Sequence, residues 1–251
     1  MKKQQIQGLF LSLFFLTAII GCGESKPEAT ETTPSNQLGN QESPVTSPDN
    51  SNFTETPPSE QPTATKIQPQ SPTEDKVSWK VIQGKEVSLS LPESYEGGKP
   101  DTDLNKIIDQ LKGIDPVYAE KIENIQQNPA EIALLAFDLQ KAKSSGAITS
   151  VNVSQQEMPP EMTVEQFLKD AQEAISFAHQ VLEQEVVSIA DYQAARIVAE
   201  TTTGEQPTKL LFYGVQNGNT FWLVTYSTTP AEFDQQLPNF EKSIRSIAFP
   251  F

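Results

Sequence analysis

Cysteine is almost absent from this sequence, because Cys22 is the only one among 251 residues. A lone cysteine cannot close an intramolecular disulfide. Its neighbours Gly21, Gly23 and Glu24 provide neither a general base nor metal ligands. The composition therefore argues against redox chemistry and against a structural metal site built on thiolates.

Histidine is equally scarce, since His179 is the only one. Hydrolases of the serine or cysteine class need a base beside the nucleophile. His179 lies near the predicted end of a helix, where an imidazolium would stabilise the C-terminus, and a ligand or base role is the alternative. Phosphate-binding motifs are also missing, because the glycines of "YEGGKP" (Tyr95 to Pro100) lack the Gly-Lys-Ser/Thr ending. The sequence predicts no enzyme, no catalytic residues and no cofactor.

Basic residues are few, with 18 Lys and Arg against 33 Asp and Glu and a formal net charge of −15. Such a chain is a poor candidate for binding nucleic acid or anionic lipid through its surface, and solubility alone is one reading of this charge. The acidic pairs Asp101/Asp103 and Glu183/Glu185 are candidates for a cation site, or for solvated carboxylates. Neither pair has the calcium-loop pattern, so we expect no metal site. An enzyme that relied on acids alone would need a buried cleft with paired carboxylates.

No apolar run is long enough to span a membrane as a helix, which takes roughly 20 residues. Gly8 to Ile20 is an apolar run of 13 residues preceded by Lys2 and Lys3. This order of charged, apolar and small residues is typical of a secretory signal, so residues 1–21 are predicted to be a signal peptide.

The motif "IIGC" (Ile19 to Cys22) resembles the bacterial lipobox, although leucine is commoner at the position of Ile19. The resemblance implies cleavage between Gly21 and Cys22 and attachment of acyl chains at Cys22. Two or three such chains anchor a protein far better than one. The expected location is a bacterial membrane, facing the periplasm or thylakoid lumen. An ordinary signal or an uncleaved anchor with an incidental cysteine is the alternative.

Large apolar residues are also sparse from Gly23 to about Asp75, where Pro, Ser, Thr, Gln, Asn and Glu dominate. Such a segment cannot bury enough surface to offset the entropy of ordering, so residues 22–75 are predicted to be a disordered tether. A flexible coil of this length spans about 40 Å. The tether either gives the folded part reach or is a tolerated spacer.

The remaining residues, 76–251, are enough for one domain with a sizeable core. Their apolar patterns and turn signals predict an α+β sandwich, an antiparallel sheet flanked by helices. The predicted order is two strands (Val77 to Leu91), two helices (Asp101 to Lys112, and Pro116 to before Pro129), two strands (Ile132 to Leu139, Ile148 to Ser154), a helix from the capping box of Thr163 and Gln166 to Ala178, four strands between Glu185 and Ser227, and a helix from Thr229 to Arg245. Asn217 and Gly218 are predicted at the centre of a type I′ turn, and Pro238 is predicted to kink or split the last helix.

Aromatic residues of the last hairpin provide the candidates for partner binding. Alternation places Trp222 and Tyr226 on one face of the strand. If both faces of the sheet are covered they are core residues, and if one face is open they form an interaction patch. Arg245 and Lys242 add rare positive charge on the last helix, for docking or for the helix C-terminus. Trp79 is a weaker candidate.

Several segments of residues 76–251 resemble the PsbP-like α/β/α sandwich family. They are "LSLP" (Leu89 to Pro92), "TVEQF" (Thr163 to Phe167), "YQAARIVAE" (Tyr192 to Glu200), "FWLVTYST" (Phe221 to Thr228) and "FEKSIRSIAF" (Phe240 to Phe249). The family includes the photosystem II extrinsic protein PsbP, lipid-anchored cyanobacterial relatives and mycobacterial LpqN-type lipoproteins. The segment Gly97 to Pro129 is longer than in compact members. Metal binding by relatives is not carried over, because no residue here matches it.

The resemblance implies a cyanobacterial lipoprotein that binds a protein partner in a membrane complex, with photosystem II as the specific expectation. We expect a monomer. The alternative is a lipoprotein that binds a small ligand or an envelope glycan in a groove between the sheet and the helices.

Overall fold

A seven-stranded antiparallel sheet organises the part of the chain described by the computed structural model, which comprises residues 77–127, 132–201 and 207–249. The strands are β1 (Trp79–Gln83), β2 (Ser88–Pro92), β3 (Tyr95–Gly98), β4 (Ile132–Asp138), β5 (Ser150–Glu157), β6 (His179–Ile189), β7 (Tyr192–Thr201), β8 (Lys209–Asn217) and β9 (Thr220–Thr228). The helices are α1 (Asn105–Lys112), α2 (Pro116–Gln127), α3 (Leu139–Ser145), α4 (Val164–Ile175) and α5 (Pro230–Ile244). The predicted signal peptide, Cys22 and tether lie outside the described residues.

The strand order in the large sheet is β3-β4-β5-β9-β8-β7-β6, while β1 and β2 form a separate antiparallel pair. Each neighbouring pair in the large sheet is antiparallel. The predicted class, α+β with an antiparallel sheet flanked by helices, is confirmed. The two strands predicted at Ile132 to Leu139 and Ile148 to Ser154 are present as β4 and β5 and pair with each other, and β9 occupies the middle of the sheet.

Side chains alternate between the two faces of the sheet along each strand. Other elements cover both faces. On the first face, Val224 and its neighbours pack against the β1–β2 pair and α5. On the second face, Leu223, Phe212 and Ile197 pack against α4. At the β3–β4 end of the large sheet, another cluster joins β4 to α1 and α2. The result is layers of helix, sheet and helix with apolar contacts on both sides.

Two of the predicted helices begin with side-chain caps, whereas the Thr229 side chain makes no cap hydrogen bond at the start of α5. The Asp115 carboxylate accepts a hydrogen bond from the Tyr118 N–H (2.9 Å), which begins α2 with Pro116 in its first position. Thr163 Oγ1 accepts from the Gln166 N–H (3.3 Å), as predicted for α4, but the Gln166 side chain donates to Asp170 instead of completing the capping box. α5 runs through Pro238 as one helix, so the predicted split is wrong.

Two predicted boundaries in the middle of the chain are wrong. The connection between the strands predicted at Ile132 to Leu139 and Ile148 to Ser154 contains α3, which begins with the Asp138 carboxylate accepting from the Lys141 N–H (3.0 Å) and ends at Gly146 with φ +72°. α3 is short and buries only Leu139 and Ala142, so it has no long apolar stripe to reveal it. α4 ends at Ile175. β6 then begins at His179, six residues before the predicted strand.

The β8–β9 turn also differs from the prediction. Asn217 pairs with Thr220, so Gly218 and Asn219 are the two central residues. Gly218 has φ +62°, whereas Asn219 is not among the residues with positive φ. A glycine with positive φ at the first central position alone is the pattern of a type II′ turn, so the predicted type I′ turn is wrong.

Candidate functional site

Trp222 and Tyr226 lie in the core, with 4% and 0% of their surface exposed. The Trp222 ring stacks on Phe249 at a centroid distance of 4.9 Å, and Tyr226 stacks on Phe240 at the same distance. The Tyr226 hydroxyl donates a hydrogen bond to Ser243 Oγ (2.9 Å). α5 covers this face of the sheet. The two aromatic residues are therefore core residues, the first of the two roles predicted for them. They present no surface to a partner, which corrects their place among the partner-binding candidates.

The other predicted partner-binding residues lie on α5 or just after it. The Arg245 side chain is 67% exposed, with Nη2 3.8 Å from a Glu241 oxygen, so its docking role stays a prediction. The Lys242 ammonium lies over the Trp79 ring, 4.3 Å from its centroid. This cation–π contact joins α5 to β1 and gives both residues a structural role.

The two predicted acidic pairs have partners within the protein. Arg196 Nη1 donates to Glu183 (2.9 Å) and to Glu185 (3.1 Å). Asp101 faces the Lys85 ammonium at 3.2 Å, and the Asp103 carboxylate accepts from a backbone N–H. Among the described residues, no group of three His, Cys, Asp or Glu side chains is placed to hold a metal ion.

Arg196 is the residue that sequence reasoning missed. Its side chain is 9% exposed and also faces Glu241 of α5, with Nη2 at 3.5 Å. Burial acts to lower the pKa of Arg196, but Glu183 and Tyr213 outweigh it, so the pKa is raised and the guanidinium stays charged. Residues i and i+2 share a face of a strand. The spacing of Glu183 and Glu185 within β6 was therefore the available signal for one shared cation.

His179 is the first residue of β6 and is buried. Burial lowers its pKa, opposed by the Ile175 backbone. Burial therefore weighs against the predicted imidazolium, while the contact with the Ile175 backbone keeps the ring at the C-terminus of α4, as predicted.

A polar strip crosses the second face of the sheet along β5. Asn152 pairs with Leu135 on one side and with Thr225 on the other, so polar side chains separate the two apolar clusters of this face. Ser150 Oγ bonds Ser227 Oγ at 2.8 Å. Ser154 Oγ and the Gln156 amide are buried without a hydrogen-bond partner in the described part of the chain. We call the side chains of Ser150, Asn152, Ser154 and Gln156 the β5 strip.

The most exposed strand is β6, at the end of the large sheet. The Phe177 side chain just before it is 79% exposed, and Leu182 within it is 43% exposed. Glu183 and Glu185 keep 62% and 55% of their side chains exposed even though Arg196 binds both. Beside Phe177 lies an open hollow of about 460 Å³. We call residues 177–189 the β6 edge.

No helix within the described ranges is long and apolar enough to cross a membrane.

Comparison with known proteins gives structural likenesses only. No family model matches the chain, and no curated protein matches it. Among solved structures, cyanobacterial PsbP from Synechocystis is 13% identical, with 72% of this chain and 98% of that chain covered and a TM-score of 0.42. LpqN of Mycobacterium tuberculosis, described as involved in cell envelope biogenesis, is 7% identical, with 70% and 93% covered and a TM-score of 0.45.

A third similar structure is the immunity protein TplEi of the type VI secretion system of Pseudomonas aeruginosa. It is 10% identical, with 70% of this chain and 98% of that chain covered and a TM-score of 0.38. At these TM-scores, none of the likenesses assigns a family or a function to this chain.

Proposed function

We propose that this protein is a lipid-anchored, extracytoplasmic binding module without catalytic activity, which holds a protein partner in a membrane complex. The observation that carries the proposal is the β6 edge. Both faces of the sheet are covered by other elements, yet Phe177 is 79% exposed beside this strand. An exposed aromatic side chain beside a strand that is paired on one side only is a candidate contact for a partner.

The anchor half of the proposal comes from the sequence. The lipobox-like motif places Cys22 at the predicted start of the mature chain, and the 53 residues from Gly23 to Asp75 separate it from the domain. Acyl chains stabilise membrane attachment by about 0.8 kcal/mol for each buried methylene. A binding surface on such a tether would meet its partner close to the membrane.

The more specific proposal is that the partner complex is photosystem II. It follows from the resemblance of Leu89 to Pro92, Tyr192 to Glu200 and the last hairpin to the PsbP-like family. It also implies a thylakoid location and a cyanobacterial source.

Intact-mass spectrometry on protein from native membranes tests the anchor. We expect a mass that lacks Met1 to Gly21 and gains acyl chains, and we expect the gain to be absent in Cys22→Ala. An unlipidated wild-type mass would remove the membrane half of the proposal.

Cross-linking and affinity purification from solubilised membranes test the partner. Wild type should retain subunits of a membrane complex, and a deletion strain should contain less of that complex. Recovery of no photosynthetic subunit, with unchanged complex levels on deletion, would refute the photosystem II proposal. Retention of another membrane protein would leave the general proposal standing.

The second candidate function is binding of a small polar ligand, and the β5 strip is the observation that favours it. Buried polar groups normally have hydrogen-bond partners, and Ser154 Oγ and the Gln156 amide have none in the described residues. Neutral hydroxyl and amide groups suit an uncharged ligand such as a sugar. A thermal-shift screen tests this, because a ligand at 100 times its Kd adds roughly 2.7 kcal/mol of stability. A ligand that stabilises wild type but not Ser154→Ala or Gln156→Leu would support this second function.

A further inference from the structure

We propose that the β6 edge binds an extended, positively charged segment of a partner protein, which joins the large sheet as an additional strand. This inference rests on the proposed function, because it names how the binding module would hold its partner. In strand addition, main-chain hydrogen bonds provide affinity and alternate side chains provide specificity.

The backbone of β6 is paired on one side only. It pairs with β7 from His179 to Ile189, and it is the last strand of the large sheet. Within the described ranges, no strand therefore meets the N–H and C=O groups on its outer side. Proteins usually discourage pairing at an edge with short strands, lysine, proline, other charged side chains or β-bulges. β6 has 11 residues and contains neither lysine nor proline. It carries a bulge at Leu182 and the carboxylates of Glu183 and Glu185, which repel an acidic strand and attract a basic one.

A β-bulge in β6 turns an apolar side chain outward. The register shifts between Val181 and Glu183, so Leu182 is the extra residue of the bulge. Bulges re-aim a side chain and increase the local twist. Leu182 is 43% exposed, and Phe177 in the preceding turn is 79% exposed. These two side chains offer apolar contacts to one end of an added strand.

The charge of the β6 edge favours a basic occupant. Glu183 and Glu185 lie on one face of β6 and are 62% and 55% exposed. Arg196 fixes their position from the inner side and leaves the outer side of each carboxylate to a neighbour. Opposite charges directly across two paired strands stabilise the pairing. We therefore expect a lysine or arginine of the added strand to lie opposite Glu183 or Glu185.

A second copy of the chain and the chain's own tether are poorer occupants. In an antiparallel pair of two β6 strands centred on Gln184, Glu183 of one copy would face Glu185 of the other, and like charges directly opposite are destabilising. The segment Gly23 to Asp75 carries 9 acidic and 2 basic side chains, so it has the same sign as the edge. Charge complementarity therefore selects a separate, basic partner.

A defined peptide tests the proposal on the full chain, purified from native membranes in detergent. The probe is a short synthetic peptide that alternates lysine with valine, and its control carries glutamate in place of lysine. We expect the lysine peptide alone to bind in fluorescence anisotropy, with an affinity that falls as salt rises. Hydrogen exchange should slow at alternate amides of residues 179–189 when that peptide is bound.

Matched variants locate the contact. The double variant Glu183→Gln with Glu185→Gln should weaken binding about fivefold, and Phe177→Ser should weaken it about tenfold. The controls change exposed acidic and apolar residues elsewhere: Glu120→Gln with Glu157→Gln, and Val117→Ser at a residue that is 59% exposed. Thermal unfolding confirms that each variant is folded.

Three results would overturn strand addition at the β6 edge: equal binding of both peptides, equal weakening by the control variants, or protection at residues outside 179–189. Retention of the membrane partner by the Glu183, Glu185 and Phe177 variants would also overturn it, while the proposed function would stand. If wild type retained no partner at all from membranes, the proposed function would fail whatever the peptides do.

Discussion

At the residue scale, the turn between β6 and β7 holds an alanine in a left-handed conformation. Ala190 has φ +50° and is exposed. L-residues other than glycine pay roughly 1–2 kcal/mol in this region. Ala190→Gly removes that strain but adds unfolded-state entropy, which costs roughly 0.5–1 kcal/mol. We expect a net gain of about 0.5 kcal/mol in the free energy of unfolding, measured by chemical denaturation.

The matched control is the same exchange in reverse at the β8–β9 turn. Gly218 has φ +62°, and a Cβ there would meet nothing within 4 Å. Gly218→Ala should therefore lower the free energy of unfolding by about 0.5 kcal/mol, because the backbone strain exceeds the gain from the lower entropy of the unfolded chain. If both substitutions changed stability in the same direction, the account based on φ would be wrong.

His179 gives the stability a pH dependence of known sign. Its pKa lies below the ordinary value of 6.5 because the ring is buried. Below pH 6.5 the unfolded chain takes up a proton that the folded chain does not, so stability falls as the pH drops toward the folded pKa. Since the chain has one histidine, its NMR titration is free of overlap.

The titration midpoint of the His179 imidazole should lie below 6.5. His179→Leu should remove the loss of stability that begins as the pH falls through 6.5, leaving only the carboxylate transitions at lower pH. A midpoint at or above 6.5 would contradict the buried, neutral imidazole.

Residue roles were only partly predictable from the sequence. Alternation correctly placed Trp222 and Tyr226 on the same face of a strand. It does not tell which element covers that face, because α5 lies 4 to 22 residues away from them along the chain and only the fold brings it there. For the same reason, the acidic pair of β6 was found without Arg196, which is contributed by the next strand.

At the element scale, α4 docks on the sheet through a contact that only glycine permits. A Cβ at Gly214 of β8 would lie 2.2 Å from the ring of Phe167. That ring is fully buried and stacks on Phe221 at 4.2 Å, so it has no room to withdraw. Gly214→Ala should lower the free energy of unfolding by about 2–3 kcal/mol.

A double-mutant cycle tests whether Phe167 is the cause. Phe167→Ala alone should cost about 3–5 kcal/mol, and in that background Gly214→Ala should cost much less, because the ring is gone. Gly113→Ala is the control, since its Cβ would meet only a carbonyl oxygen at 3.5 Å. Additive costs at Gly214 and Phe167 would show that the glycine is required for another reason.

Elements that bury much of their surface were predicted well and the others were not. α4 has strong helical periodicity because it buries one face, and β7 to β9 read as nearly continuous apolar runs because both of their faces are buried. β6 lies at the edge and alternates poorly, since most of its residues face solvent. The predicted strand therefore began only at Glu185, with residues 179–184 left between it and the helix predicted to end at Ala178, and the candidate surface was missed.

At the scale of the whole molecule, we expect the acyl chains at Cys22 to attract the protein to a membrane and the acidic domain to be repelled by anionic lipids. Residues 76–251 carry 24 acidic and 14 basic side chains. Anionic headgroups attract basic segments and repel acidic ones within a Debye length. Without acyl chains, the protein should have no affinity for anionic vesicles.

Fractionation of cells that express wild type or Cys22→Ala tests whether the acyl chains alone hold the protein at the membrane. Wild type should stay in the membrane fraction through high-salt washes, because acyl chains hold it and salt does not weaken their burial. Cys22→Ala should leave the membrane fraction, and its domain should unfold at the same denaturant concentration as wild type, since the substitution changes no residue of the described part of the chain. Purified Cys22→Ala should bind neither neutral nor anionic vesicles. Release of wild type by salt alone would show that a protein partner, rather than a lipid at Cys22, holds the chain at the membrane.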